Sequence, residues 1–501
     1  MKNKMYREMQ FGLQAVLLTA VLSLATSCEE EEEPILKPPG GNGNDTTEVV
    51  NIDFSKLTDT YWDVTSQDDA DEWGIHNVHD PVIRKFGNYF YCYSTDVGFG
   101  INVRLGHQIR RSENLVEWEF VGWVFESLPP KGKAYIESIG ATPNNSLWAP
   151  SVVEVDGTYR LYYSLASNIG LKSCIGLAIS DDPQYGWKEV DVVVGTNNTY
   201  TATNGIDPSV IITSEGEHWM TYGSSWDGIY LVQLDPSTGL TLKSGDRGKR
   251  IAHRGFTGGK VNGNIEGPEL IYQPEFDMYY LFIAYDWLST KYNVRVGRSE
   301  HVEGPYFDMS GNDLNVKTDN YPMIIAPYRF DGHSGWQGVG HCTVFDDDGQ
   351  YYIAHQARPG ENMFFMNLHV RQLFWTEDGW PVASPERYAA QPLREFDAFD
   401  IIGEWEMIDF GYRVVPGFDA EQTSPDFQTS EPLRLNDDWT INDTDDKWEY
   451  NHPWLRMNLD GKAVDVHVSV GRDWENFVDS TLVFTGNNRD GMPLWAKKIV
   501  E

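Results

Sequence analysis

The chain has 501 residues, enough for a large core and a second unit. Its 75 acidic against 39 basic residues give a formal charge of −36, which argues against nucleic acid and other anionic polymers, because phosphate binding needs Lys and Arg to neutralise it. Aromatic residues make up 13% and include 18 Trp, a composition suited to β structure and to surfaces that stack on neutral sugars.

The first segment reads as a targeting signal. Lys2, Lys4 and Arg7 precede an apolar stretch from Phe11 to Ala25, too short for a stable membrane span, and Ala25, Thr26 and Ser27 lead into Cys28. Residues 1–27 thus resemble a bacterial lipoprotein signal peptide, with Cys28 as the lipidated first residue of the mature chain. Glu29 to Glu33 and a Pro/Gly/Asn-rich run make residues 28–50 a tether that cannot bury a core. An acidic run after the lipidated Cys resembles the surface-export signal of Bacteroidetes lipoproteins. That implies an outer-membrane lipoprotein exposed on the cell surface.

Residues 51–395 carry five repeats of one pattern: an apolar run, a turn bearing Gly or Asp, then an aromatic-rich run. They open at Asp80, Ala149, Asp207, Glu266 and His341, with turns at Gly87, Gly157, Gly216, Asp277 and Gly349. Each unit reads as a β-hairpin, and five units about 60 to 75 residues apart, with no helical periodicity between them, predict a five-bladed β-propeller. Outer strands are expected at Ser173–Ser180 and Tyr292–Arg298. Past Pro392 the repeat stops. Ile401–Asp409 and Ala463–Val470 alternate apolar and polar residues, so residues 396–501 should form a small β-barrel or sandwich, a cap on the propeller or a glycan-binding module. Cys92, Cys174 and Cys342 lie in apolar strand-like runs and are expected as buried free thiols.

Innermost strands of a propeller surround one axis. Asp80, Asp207 and Glu266 open their repeats at one register, so the three should meet in one pocket with His341 beside them. Converging carboxylates need a cation, a ligand or a shared proton. The chemistry that most naturally uses them is glycoside hydrolysis by a general acid and a general base. Glu269 competes for the acid role, but strand alternation does not force its side chain to the axis. Asp346, Asp347, Asp348 and Gly349 lack EF-hand spacing and read as a hairpin turn.

His79-Asp80-Pro81, Trp148-Ala149-Pro150, Gly205-Ile206-Asp207-Pro208 and Ile265-Glu266-Gly267-Pro268 resemble the motifs of glycoside hydrolase family 43, the five-bladed propeller enzymes. Trp148 to Ser164, Ser173 to Ser180, Tyr222 to Ile229 and the C-terminal run Leu494 to Val500 are similar to arabinanases of that family that carry a C-terminal β domain. The resemblance implies an inverting enzyme that cleaves α-1,5-linked arabinan internally. It implies Asp80 as general base, Glu266 as general acid, and Asp207 as the residue that raises the acid's pKa and orients it. A separation of roughly 6.5–9.5 Å between base and acid is typical of such pairs. His341 matches the family's histidine beside an axial calcium ion, whose shell would be completed largely by water. This chain has Gly340-His341-Cys342-Thr343 where several relatives carry Gly-His-Asn. Trp148 and Trp226 should reach the pocket rim and stack on sugars, core packing being the alternative. An exo-acting arabinofuranosidase, a β-xylosidase and a non-catalytic surface glycan-binding protein are the other readings. A monomer is expected.

Overall fold

The hairpins form where β-branched and aromatic residues alternate up to a two-residue turn of left-handed backbone. Asp156 and Gly157 (φ 50° and 77°) join Val155 to its partner Thr158, and Asp348 and Gly349 (φ 50° and 87°) join Asp347 to Gln350. Left-handed pairs match the twist of antiparallel strands. The Asp346–Gly349 run is therefore a hairpin turn, as its spacing suggested.

In the computed structural model the described residues are 52–98, 104–254, 256–257, 260–261, 264–316, 322–392, 394, 396–411, 422–459, 461–488 and 490–500. The signal segment, Cys28 and the tether lie outside them. The fold is nearly all β: a five-bladed propeller followed by a curled sheet. Blade 1 holds strands His79–Phe86, Tyr89–Thr95, His107–Ser112 and Glu119–Trp123. Blade 2 holds Trp148–Val155, Thr158–Leu165, Cys174–Ser180 and Lys188–Gly195. Blade 3 holds Ser209–Ile212, His218–Tyr222, Ile229–Leu234 and Lys249–Ala252. Blade 4 holds Ile265–Gln273, Met278–Tyr285, Asn293–Ser299 and Met323–Ile325. Blade 5 holds Trp336–Asp347, Gln350–Pro359, Asn367–Trp375 and Pro381–Ala383, with Tyr328–Arg329 added on its inner side. A nine-residue helix, Pro130–Ser138, interrupts the β structure between blades 1 and 2, where no helical pattern was read.

The ring closes between blades 5 and 1 through the segment just before the first strand. Leu368 N–H donates to Ile75 O (2.8 Å), Val78 N–H to Met366 O (3.3 Å), and His76 Nδ1 lies 2.7 Å from Asn367 Oδ1. Cys92, Cys174 and Cys342 are buried free thiols.

Deep on the axis the blades are tied by one carboxylate. Glu269, on blade 4, accepts from Arg84 of blade 1 (3.1 Å), Ser209 Oγ of blade 3 (2.7 Å) and Thr343 Oγ1 of blade 5 (3.0 Å). Arg84 also donates to Thr343 Oγ1 (2.8 Å). Glu269 does turn to the axis, contrary to the sequence expectation, because a bulge between Glu266 and Glu269 breaks strict alternation. Both its oxygens accept hydrogen bonds from other blades, which commits the group to tying them together.

The C-terminal sheet has seven strands: Glu431–Leu435, Gly403–Asp409, Pro493–Lys498, Val478–Asn487, Lys462–Asp473, Trp454–Leu459 and Trp448–Asn451, in that spatial order. It shares a core with blades 4 and 5, where Trp495 packs edge-on against Tyr328 (5.2 Å) and Phe410 (5.0 Å). The division is not clean along the chain, since Gln428–Thr429 pairs in parallel with Tyr328–Arg329 of blade 5. At the same junction the buried Lys497 ammonium contacts Asp473 (2.6 Å), Glu475 (2.8 Å) and Glu386 (3.5 Å).

Removing one partner of a buried ion pair leaves the other uncompensated. Glu269→Ala should therefore lower unfolding stability by about 3 kcal/mol, read from urea denaturation, and a loss below about 1 kcal/mol would show that the axial tie contributes little.

Candidate active site

Every blade opens on a residue of left-handed backbone: Asp80 (φ 49°), Ala149 (36°), Asp207 (59°), Gly267 (58°) and His341 (52°). In blades 1, 2, 4 and 5 this residue sits in a bulge, between His79 and Val82, Trp148 and Ser151, Glu266 and Glu269, and Gly340 and Thr343. A non-Gly residue is strained in this region, so neighbours must hold it. At Asp80, Ala149 and Asp207 a side chain from the preceding blade does so. Gln356 Oε1 accepts from Asp80 N–H (2.7 Å), Thr95 Oγ1 from Ala149 N–H (2.8 Å), and Ser164 Oγ from Asp207 N–H (3.0 Å).

The acids do not share one register. Gly267, not Glu266, occupies the position equivalent to Asp80 and Asp207. A Cβ there would lie 2.9 Å from His341 Cγ, so the imidazole fills the space and the acid comes from the residue before. The four predicted groups nonetheless meet. His341 Nδ1 is 3.0 Å from Asp80 Oδ1, and Asp207 Oδ2 accepts from Gly267 N–H (3.2 Å), directly beside Glu266.

Their surroundings differ. Burial alone would raise the Asp80 carboxyl, but His79 and His341 outweigh it and hold the group well below the usual carboxylate range. Thr95 Oγ1 donates to its Oδ2 (2.8 Å). The tautomer of His79 follows from its neighbours. Gln356 accepts from Asp80 through Oε1, so its amide NH2 donates to His79 Nε2 (3.0 Å), as does Arg358 (3.2 Å). The ring proton is thus on Nδ1, 2.8 Å from Asp80 Oδ1. Asp207 is pushed up to about 8, by burial first and then by the negative charges of Glu266 and Asp80 against the opposing pull of His341. One proton is therefore retained in the acid cluster at neutral pH. Glu266 is held at both oxygens, Oε1 accepting from Tyr292 OH (2.9 Å) and Oε2 from Ser224 Oγ (2.7 Å).

Trp148 is half-buried, with its carbonyl 3.2 Å from His107 Nε2, whereas Trp226 is 47% exposed and packs near Gly170. Of the two predicted platforms, Trp226 is the more exposed.

A metal at His341 has few protein donors to use. Its Nδ1 faces Asp80, so the ring can offer an ion only Nε2. Among the described residues, three candidate ligand groups approach one another only at Glu386, Asp473 and Glu475, where Lys497 already supplies the positive charge. Calcium takes six to eight oxygen ligands. The residues at His341 fit such an ion only in a shell made mostly of water.

Residues 75–381 match the model of Glycosyl hydrolases family 43, and residues 385–496 that of a C-terminal lipocalin-like domain. The chain belongs to glycosyl hydrolase family 43. This family 43 member is 29% identical over 475 residues to an extracellular endo-alpha-(1->5)-L-arabinanase of Thermotoga petrophila, covering 86% of this chain and 94% of that one. The crystal structure of the endo-1,5-alpha-L-arabinanase from that organism superposes with a TM-score of 0.71 at 27% identity, over 85% of this chain and 99% of that chain. An extracellular exo-alpha-(1->5)-L-arabinofuranosidase, ArbA of Cellvibrio japonicus, is 27% identical over 338 residues, covering 64% of this chain and 90% of that protein.

Sequence reading missed the residues that hold the acids. Thr95, Ser164 and Gln356 all lie in the second strand of a hairpin, opposite His79, Trp148 and Gly340. That repeat of hydrogen-bonding residues was legible. Ser224, Tyr292 and Arg358 follow no such spacing.

Proposed function

We propose that the chain is an endo-acting arabinanase that cleaves α-1,5-linked L-arabinofuranosyl chains with inversion. The observation that carries this reading is the pairing of two environments in one pocket: Asp80, kept ionised by two imidazoles, and the Asp207–Glu266 pair, which retains one proton between its two carboxyls. In this reading Asp80 takes a proton from the attacking water as that water bonds to the anomeric carbon. Glu266 gives its proton to the departing glycosidic oxygen. Turnover leaves Asp80 protonated and Glu266 ionised, and solvent resets both. Tyr292 and Ser224 fix the direction of the Glu266 carboxyl, which acts as the acid when the proton it shares with Asp207 rests on Glu266. The arabinanase relatives, matched over most of their length, supply the substrate class.

Asp80→Asn and Glu266→Gln should each reduce kcat on linear arabinan by roughly 10²–10⁴-fold with thermal unfolding little changed. Near-normal turnover in either purified variant removes the assignment. Wild-type enzyme should release mixed oligosaccharides from the start, whereas arabinose alone would favour the exo reading that the Cellvibrio relative represents.

Calcium beside His341 is part of the proposal. His341 would hold it through one nitrogen with water completing the shell, and the ion would add positive charge next to the acids. Chelation should lower turnover and added calcium should restore it; a rate indifferent to both would remove the metal from the reading.

The proposal includes a lipid anchor at Cys28 with the enzyme on the outer cell surface, a reading that the signal-like segment and acidic tether support. Cys28→Ala should move the protein from the membrane fraction to the soluble one, and retention in the membrane fraction would argue against lipidation.

A further inference from the structure

Exposed aromatic residues are tied to the acids by two separate routes, one through Glu266 and one through the histidine beside Asp80. On the Glu266 side, Ser225 N–H donates to Ile265 O (2.7 Å), and Ser224 donates to Glu266, so the turn that carries Trp226 is fixed against the strand that carries the acid. On the Asp80 side the link is Arg358. It donates through one nitrogen to His79, the neighbour of Asp80, and through the other to Met363 O (2.8 Å) in the loop 360–366. Phe364, next in that loop, is 58% exposed, and Trp62 is 69% exposed and meets Phe365 edge-on at 4.5 Å.

These rings rest on a rigid base. Phe365 is buried and packs on Tyr61 at 4.7 Å. Tyr61 stacks on His76 at 3.8 Å, and its hydroxyl accepts from Asn77 N–H (3.0 Å) and Met366 N–H (3.1 Å) while donating to Met366 O (3.1 Å). His76 and Asn77 run directly into His79 and Asp80. Trp62 and Phe364 are thus apolar surfaces left open to water yet tied to the base side of the pocket. Large rings kept open on a fixed mount mark a contact surface. The charge of −36 disfavours an anionic partner, and the attachment of this loop through Arg358 to the histidine beside Asp80 favours the polymer cut there.

We propose that Trp62 and Phe364 form a second stacking platform, binding arabinofuranosyl units on the Asp80 side while Trp226 binds those on the Glu266 side. The arabinan chain then lies across the pocket with sugars held on both flanks, which is the arrangement internal cleavage requires. This rests on the arabinanase reading.

The test compares long linear arabinan with arabinotriose for Trp62→Ala, Phe364→Ala and Trp62→Phe, each checked for a native melting transition. KM for the polymer should rise roughly tenfold in the two alanine variants, with kcat/KM on arabinotriose within about twofold of wild type, and Trp62→Phe should restore polymer binding. Phe364→Ala carries the test if Trp62→Ala fails to fold, because its ring is open to water. An active wild type whose variants keep the polymer KM overturns the platform alone. Equal losses on polymer and trisaccharide also overturn it, since they indicate a structural role. A wild type that releases nothing from arabinan overturns both the platform and the functional reading.

Discussion

A left-handed residue at the head of each blade is the constraint on which the site depends. It turns the chain at the axis, so that its own side chain, or in blade 4 that of Glu266 beside Gly267, meets the others in the pocket. Such backbone persists only when its surroundings over-determine it. Here the determinant is a relay: the end of one blade's second strand grips the amide of the next blade's opening residue. Thr95 shows the economy of the device, since one hydroxyl accepts from Ala149 N–H and donates to Asp80. Where the relay reaches Gly223, which has no side chain, Asp207 itself takes the amide of Gly267. The residue proposed to tune the acid thus also holds the strand that bears it.

Below that layer, Glu269 and Arg84 close the axis with hydrogen bonds from four blades. The two layers separate structure from chemistry. Carboxylate in the lower layer is neutralised by Arg84 and fully engaged. In the upper layer the acids face two imidazoles and one another, which keeps one ionised and leaves a proton with the others. Identical side-chain chemistry serves opposite ends because the donors around it differ.

The propeller was legible because its five hairpins repeat a turn and an aromatic strand, and repetition survives local noise. The convergence of Asp80, Asp207, Glu266 and His341 followed from that symmetry. The register of Glu266 did not, because it depends on a clash between Gly267 and His341, 74 residues apart, that no local pattern records. The helix Pro130–Ser138 was equally hidden. Its first amides are capped by Glu189, which donates nothing to local sequence signals: Lys131 N–H and Gly132 N–H reach it at 2.8 and 2.9 Å. Glu269 was misjudged for a third reason, a bulge that shifts the facing of every residue after it.

The strand Gln428–Thr429, which leaves the C-terminal sheet to lie along blade 5, means that the two halves cannot be traded like beads on a string. A recombination point placed at the end of the fifth blade would strip Tyr328 and Arg371 of the indole of Trp495, which they surround, and part the paired strands Tyr328–Arg329 and Gln428–Thr429. Descent with this architecture is therefore descent as a pair, with each half constraining the sequence the other can explore.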